Sequence, residues 1–278
     1  VAMYQARDLI ESVNAQLPRE DRMVLAPKCS SARKFMSILA AQQIVFKVGE
    51  KSYTHAPICC FLSELSNFIQ LDPNFTLNFL TDSYDDKYFD YETEHKGGVR
   101  IDGPAPVLLA CTTHNYITTK LRDDVITDGA SRRFHWILDE RSSTRNSEPE
   151  RPPLDQVLVD RLKLVRKMVG PFEWSDDGKA AYKEWYDKND RKDFGLTGYG
   201  TTKNVKIEKM SMLFAASERL EKVIRAADIE MSLELCALME RNLSKVFEGV
   251  GRNVLNAAAS SLIFHISILI GIKRRTDR

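Results

Sequence analysis

The sequence predicts an α/β fold, a mostly parallel sheet flanked by helices over about residues 1–145, followed by an all-helical subdomain over 146–278. Three observations carry this expectation. Apolar, β-rich runs (ICCFL, PVLLA and FHWIL) are separated by helical patterns, as crossover connections require. Each run borders polar residues: Ser63-Glu64 after the first, Thr112-Thr113-His114-Asn115 after the second, and Arg132-Arg133 in the turn before the third. Beyond the Ser-, Pro- and charge-rich RSSTRNSEPERPP, the periodic segments all have helical spacing.

Taken in order, VAMYQARDLIESVNAQL opens directly inside an amphipathic helix, with Ala2, Ala6, Leu9, Ile10, Val13 and Leu17 recurring at helical spacing. It shows no cap, no initiating methionine and no targeting pattern, so further sequence is expected upstream. RMVLAPKCSS reads as a short strand leading to Ser30 or Ser31 as cap for the helix ARKFMSILAAQQ. IVFKVGEKSYTHAPICCFL reads as a hairpin around Gly49-Glu50 whose second arm runs on into the first buried strand. SELSNFIQLDPNFTLNFLTDSYD is helical with a break near Asp72-Pro73. KYFDYETEHKGGVRIDGPAP reads as a polar, turn-rich connection. PVLLACTTHN is a buried strand, NYITTKLRDDVI a helix and ASRRFHWILDERS a further strand. Four helices follow the linker, with Asp176 and Asp228 near two of their starts, where the dipole favours an acid.

Composition narrows the class. Hydrophobic residues make up 43% and charged residues 28% of the 278, ordinary for a globular chain with a real core. A net charge of +1 gives no global signature of nucleic-acid binding, although a local basic patch is compatible with it. The cysteines (Cys29, Cys59, Cys60, Cys111 and Cys236) form no C-x-x-C pair, lie mostly in apolar strand-like contexts and read as reduced core residues of a cytoplasmic protein. The scattered histidines argue against a metal site made of protein ligands alone. AAASSLIFHISILIGIKRR is the one membrane candidate. Its apolar stretch falls short of the roughly 20 residues of a spanning helix, so it reads as a core helix and no membrane partner is expected.

The strand termini suggest the chemistry. Parallel sheets place ligands at the carboxyl ends of their strands. A carboxylate, a polar tip and an arginine pair are the parts that nucleotide hydrolysis uses: the acid activates water, the tip fixes it, and arginine neutralises transition-state charge. Each part also has a plain structural reading. Glu64 suits a helix cap, threonines suit strands, and arginines often lie solvated over a sheet edge. Order and spacing together carry more than any one of them.

CFLSELSNFI, PVLLACTTHN, DGASRRFHWILDER and EKMSMLFAAS together resemble the P-loop ATPase domain of phage- and plasmid-borne primase-helicase-like proteins, a family related to RecA-like and AAA+ helicases. The resemblance extends to about residue 255 on short motifs. It implies a P-loop NTPase-like core, with ATP and Mg²⁺ as cofactors and DNA, single-stranded or forked, as partner. It also implies a homo-oligomeric ring. ICCFLSEL is then similar to a Walker B strand with Glu64 as catalytic carboxylate and Ser63 beside it. TTHN resembles a first sensor, with Thr113 and Asn115 meeting the nucleotide or its water and Thr112 in the same turn. GASRRF resembles an arginine-finger segment in which Arg132 or Arg133 reaches a neighbouring subunit, and Lys209 is similar to a second sensor.

Two departures accompany the resemblance. G-x-x-x-x-G-K-[ST] is absent: GEKS, GYGTTKN and GVGRN are near-matches with the wrong spacing or context. The family's phosphate loop stands just before a helix like VAMYQARDLIES, so the expectation is a fragment whose loop lies upstream of Val1. Ser63 also stands where many P-loop enzymes carry a magnesium-holding aspartate, and a neutral hydroxyl is a weaker substitute. A non-catalytic ATPase-like scaffold that binds DNA or a replication partner is therefore the competing expectation. Trp174, Tyr182, Trp185 and Tyr186 read as core aromatics, with stacking on single-stranded DNA as the alternative.

Overall fold

The computed structural model describes residues 2–27, 32–69, 72–85, 88–93, 97–119, 129–138 and 153–248. The linker, Cys29, GVGRN and the apolar C-terminal stretch lie outside them. Within them the protein is mixed α/β with a small mixed sheet.

Helix α1 (Ala2–Ala15) precedes a short extended segment and α2 (Ala32–Ala41). Strands β1 (Ile44–Val48) and β2 (Lys51–Leu62) form the expected antiparallel hairpin, closing Val48 on Lys51 around Gly49-Glu50. Gly49, at φ +61°, supplies the left-handed residue that such a two-residue turn needs. β2 then changes partner. From Ala56 onward it runs parallel to β5 (Pro104–Ala110), in register from Ala56↔Pro104 to Leu62↔Ala110. On its other edge Leu25 bridges Cys59 in parallel, the only trace among the described residues of the strand expected in RMVLAPKCSS.

The crossover from β2 to β5 holds α3 (Ser66–Ile69), α4 (Pro73–Asp85) and a hairpin of β3 (Tyr88–Thr93) with β4 (Gly97–Asp102). That hairpin corrects the reading of KYFDYETEHKGGVRIDGPAP as a turn-rich connection. Phe89, Tyr91, Val99 and Ile101 alternate with charged residues, so one face is apolar, and Phe89↔Ile101 and Tyr91↔Val99 are cross-strand pairs. Gly103 follows at φ +59°, where a Cβ would stand 2.1 Å from the Thr54 carbonyl oxygen. Only glycine lets β5 start this close to β2.

The first core packs α2, α3, α4 and the β3–β4 hairpin onto one face of β2, whose Ala56, Ile58, Cys60 and Leu62 are all buried. Phe35 is its centre, edge-on to Phe68 at 5.4 Å and to Phe79 at 5.9 Å. Tyr199, Leu243, Val246 and Phe247 join the same cluster from the other end of the sequence.

The expected third strand is not formed among the described residues. Ala130–Arg133 is a single helical turn, α6, and the chain then runs extended without a ladder. Its polar groups are met by side chains and local turns: Asn242 Nδ2 donates to Leu138 O (3.1 Å), and Trp136 Nε1 to Ser131 O (2.9 Å). Phe134, Trp136 and Leu138 alternate as a strand would, but Trp136 and Leu138 pack on the first core, with Phe134 against the Trp136 ring. Helix α5 (His114–Thr119) is the described part of the helix expected after β5.

The four helices predicted after the linker form, the last of them broken in two at Arg241-Asn242: α7 (Gln156–Val165), α8 (Asp176–Lys188), α9 (Tyr199–Phe214), α10 (Ala226–Glu240) and α11 (Leu243–Val246). The expected all-helical character is corrected by a short parallel ladder, Glu173↔Val223 and Trp174↔Ile224, whose residues bond across the helices that separate them. A π-helical turn, Ala215–Arg219, ends α9. α7 lies along α1, with Arg166 paired to Asp21 at 3.1 Å. Asp228, fully buried, accepts the Arg225 N–H at 2.8 Å and a two-pronged Arg219 bond at 2.8 and 2.7 Å. A second core joins Ile207, Met210, Ile229, Cys236 and Met239 to Trp174, Tyr182 and Trp185. The aromatic cluster is therefore packing for these three rings, while Tyr186 stays exposed. Cys60 and Cys236 are buried, whereas Cys111 is exposed at the end of β5, unlike the core position expected for it. Among the described residues no helix is long and apolar enough to cross a membrane.

Phe35→Ala removes the ring on which Phe68 and Phe79 lean, and is expected to cost about 3–5 kcal/mol in chemical denaturation.

Candidate functional site

The last ladder pair, Leu62↔Ala110, brings two polar termini level. Cys111 N donates to Leu62 O (2.9 Å) and Leu65 N to Cys111 O (2.8 Å), which carries the pairing past both strands. Ser63-Glu64 therefore lies beside Cys111-Thr112 at one carboxyl edge. Ser63 is exposed and Glu64 half-buried. Among the described residues, Glu64 Oε1 and Thr112 Oγ1 are buried with no hydrogen-bond partner.

Their lack of partners settles one of the plain readings. As a cap, the Glu64 carboxylate would accept an N–H of α3. Instead the Phe68 and Ile69 N–H groups go to Leu65 O, at 3.1 and 3.2 Å. The capping role belongs to Thr113, whose Oγ1 accepts the Tyr116 N–H at 3.2 Å at the start of α5. Thr113 and Asn115 are both exposed, and His114 Nε2 donates to Lys245 O at 3.0 Å. Tyr116, one turn into α5, had no place in the sequence-derived site. Its phenol pKa is raised by burial and by the negative charge of Glu64, which places it within electrostatic reach of the carboxylate. Its signal in the sequence was its spacing, one helical turn beyond the threonines.

The basic residues form a second group. Arg133 donates through Nε to Asp85 Oδ2 (2.9 Å), again through Nη2, and through Nη1 to Gly129 O (2.7 Å). Lys209 donates to Tyr84 O at 2.7 Å, with its ammonium 3.2 Å from the Tyr84 ring centroid. Burial pushes the Tyr84 phenol up to about 12, with the Asp85 charge adding to it. Burial also lowers the Lys209 pKa, partly opposed by Asp85. Arg132 differs from its neighbour: its Nε is buried and unpartnered, and its guanidinium lies against Gly198, where a Cβ would stand 2.5 Å from Nη1. Gly198 and Arg132 thus depend on one another for space.

The structure brings Ser63, Glu64, Thr112, Thr113 and Asn115 to one edge, and Arg132, Arg133 and Lys209 to α6 and the α9 face beside it. Neither Glu64 nor Thr112 is bonded to either arginine. Of the near-matches to a phosphate loop, Gly49–Ser52 is the β1–β2 turn. Gly198–Asn204 opens α9, with Lys203 paired to Glu240 at 2.7 Å. Among the described residues no three His, Cys, Asp or Glu side chains are grouped to hold a metal ion. No protein-family model matches the chain, and no curated protein matches it.

Thr112→Val exchanges an unpartnered buried hydroxyl for a methyl group of the same shape. It is expected to raise stability by about 1 kcal/mol in urea denaturation, whereas loss of stability would mean that the hydroxyl is bonded.

Proposed function

We propose that Glu64 is the water-activating acid of an ATPase that drives DNA unwinding or translocation in the replication of a phage or mobile element. One observation carries the reading: a carboxylate and a threonine hydroxyl lie level at the carboxyl ends of two parallel strands, and each holds a buried oxygen that no described residue satisfies. Buried polar groups are ordinarily bonded, so oxygens left open at a strand-end edge are positioned for something that binds there. The donor set suits the proposed chemistry. Glu64 would accept a proton from, or orient, the attacking water. Thr112 would hold that water, with Thr113 and Asn115 at the exposed rim. Magnesium-bound ATP, once in place, would supply the phosphoryl group under attack; protein ligands for the metal would come from elsewhere, since Ser63 offers only a neutral hydroxyl. Arg133 is already committed to Asp85, which leaves Arg132 of the pair to act on a neighbouring subunit's phosphate in a ring, provided that its side chain, buried at Nε, swings outward.

A second reading, a non-catalytic ATPase-like scaffold binding DNA or a replication partner, draws support from Ser63 and from the engagement of Arg133 within its own chain. Glu64→Gln in the complete gene product separates the two. The ATPase reading expects phosphate release to fall by about 10²–10⁴-fold with binding of a fluorescent ATP analogue retained. Unchanged hydrolysis would remove Glu64 from its role, and a wild-type protein that binds no nucleotide would favour the scaffold.

A further inference from the structure

We infer that Lys206 is a positioning residue for the arginine segment, reaching from α9 to hold the backbone directly after Arg132 and Arg133. Its side chain is 1% exposed, yet its ammonium donates to Phe134 O at 2.6 Å and lies 4.7 Å from the Tyr199 ring centroid. A fully buried lysine is costly unless its charge is met, and here a carbonyl and an aromatic face meet it. Lys209, three residues on, shares that face of the helix and takes the Tyr84 carbonyl, next to the Asp85 that holds Arg133. Two lysines on one helix therefore hold the carbonyl that follows the arginine pair and, on α4, the carbonyl that precedes Arg133's partner Asp85. Phe134 is also the residue whose N–H closes α6 on Ser131 O, so fixing its carbonyl fixes the turn that carries both arginines.

The groups facing Lys206 come from three elements: Tyr199 on its own helix, Cys236 and Glu240 on α10, and His135 on the segment it holds. Glu240 is shared with Lys203. Burial lowers the Lys206 ammonium from 10.5 to about 8, opposed by Cys236 and Glu240. The consequences of its titration have opposite signs. From pH 8 to 10.5 the folded chain sheds a proton that the unfolded chain keeps, so this group makes global stability rise with pH. Over the same range the local hold weakens, because a neutral amine donates a weaker bond and loses its attraction to the ring.

Trp136 reports on the hold, since it packs 5.5 Å from Phe134 and bonds Ser131 O. The test is ¹⁹F NMR of protein labelled with 5-fluorotryptophan, followed from pH 6 to 10 on the order of half-unit steps, with Trp136 assigned through Trp136→Phe. The wild-type Trp136 resonance is expected to move with a midpoint near pH 8. Lys206→Met should hold it at the alkaline position at every pH, and Lys206→Arg near the neutral position throughout, since arginine does not titrate there. A residue that only filled space would give neither pattern. A Trp136 resonance that Lys206→Met leaves at the wild-type neutral position, or one that still titrates in Lys206→Met with the Trp174 and Trp185 signals unchanged, would overturn the assignment. The catalytic meaning of the hold rests on the ATPase reading, in which Lys206→Met lowers kcat more than it alters KM. The NMR result is independent of any turnover, so the two ideas fail separately.

Discussion

The rest of the site depends on the register between β2 and β5. A strand shifted by one residue turns its buried set outward, and Ala56, Ile58, Cys60 and Leu62 leave no tolerance for that. Both ends of the ladder are locked. At the start, Ala56 N donates to Gly103 O at 2.8 Å, and the absent side chain of Gly103 lets β5 begin against Thr54. At the finish, the bonds of Cys111 to Leu62 and of Leu65 to Cys111 carry the lock past the strands. One residue of slip would move Glu64 about 3.3 Å along Thr112 and to the opposite face. Packing of the apolar face therefore places two polar atoms that make no contribution to packing.

Several other buried polar groups of this protein are bonded among themselves. Asp228 is saturated by Arg219 and the Arg225 N–H. Ser211 and Ser232 bond each other at 2.9 Å and also bond helix carbonyls. Tyr182 finds Glu208 at 2.6 Å. An unpartnered buried hydroxyl or carboxylate oxygen costs about 1–3 kcal/mol. Thr76 and Ser83 on α4 also hold buried unpartnered hydroxyls, so what distinguishes Glu64 and Thr112 is their place, level with one another at the carboxyl ends of two adjacent parallel strands.

Elements whose signal is local were legible in the sequence. ICCFL and PVLLA are uninterrupted apolar runs bounded by polar residues, which marked them as strands, but PVLLA is not the buried strand it reads as, since Val107 and Leu109 are exposed on β5. The helices after the linker were legible from their spacing and from Asp176 and Asp228. Where a segment's fate depends on a distant partner, the local signal misled. Phe134, Trp136 and Leu138 alternate like a strand, but the Leu138 carbonyl is taken by Asn242, 104 residues away, in place of a ladder. The β3–β4 hairpin was obscured by Asp90, Glu92, Arg100 and Asp102 on its outer face, although its inner face carried the period of two all along. Of the site, the carboxylate and threonine edge was legible because two adjacent strands deliver it. The Asp85 partner of Arg133, 48 residues distant, was not, nor was the grip of Lys206 and Lys209 on backbone carbonyls, which have no side-chain identity to read.

The two groups are held by the same set of late elements. His114, next to the threonines, donates to Lys245 O on α11, which packs its Leu243 and Val246 into the first core. The arginine segment is gripped from α9 by Lys206, and its continuation by Asn242 between α10 and α11. α9 and α10 share the second core and the Ser211–Ser232 bond. The separation between the acid edge and the arginine pair is thus set by α9, α10 and α11 and not by a direct bond between the groups. A rigid-body shift of those helices would alter that separation without breaking the β2–β5 ladder, because the ladder and its locks lie wholly within residues 54–111. The sheet holds the acid, and the helices hold the arginines relative to it.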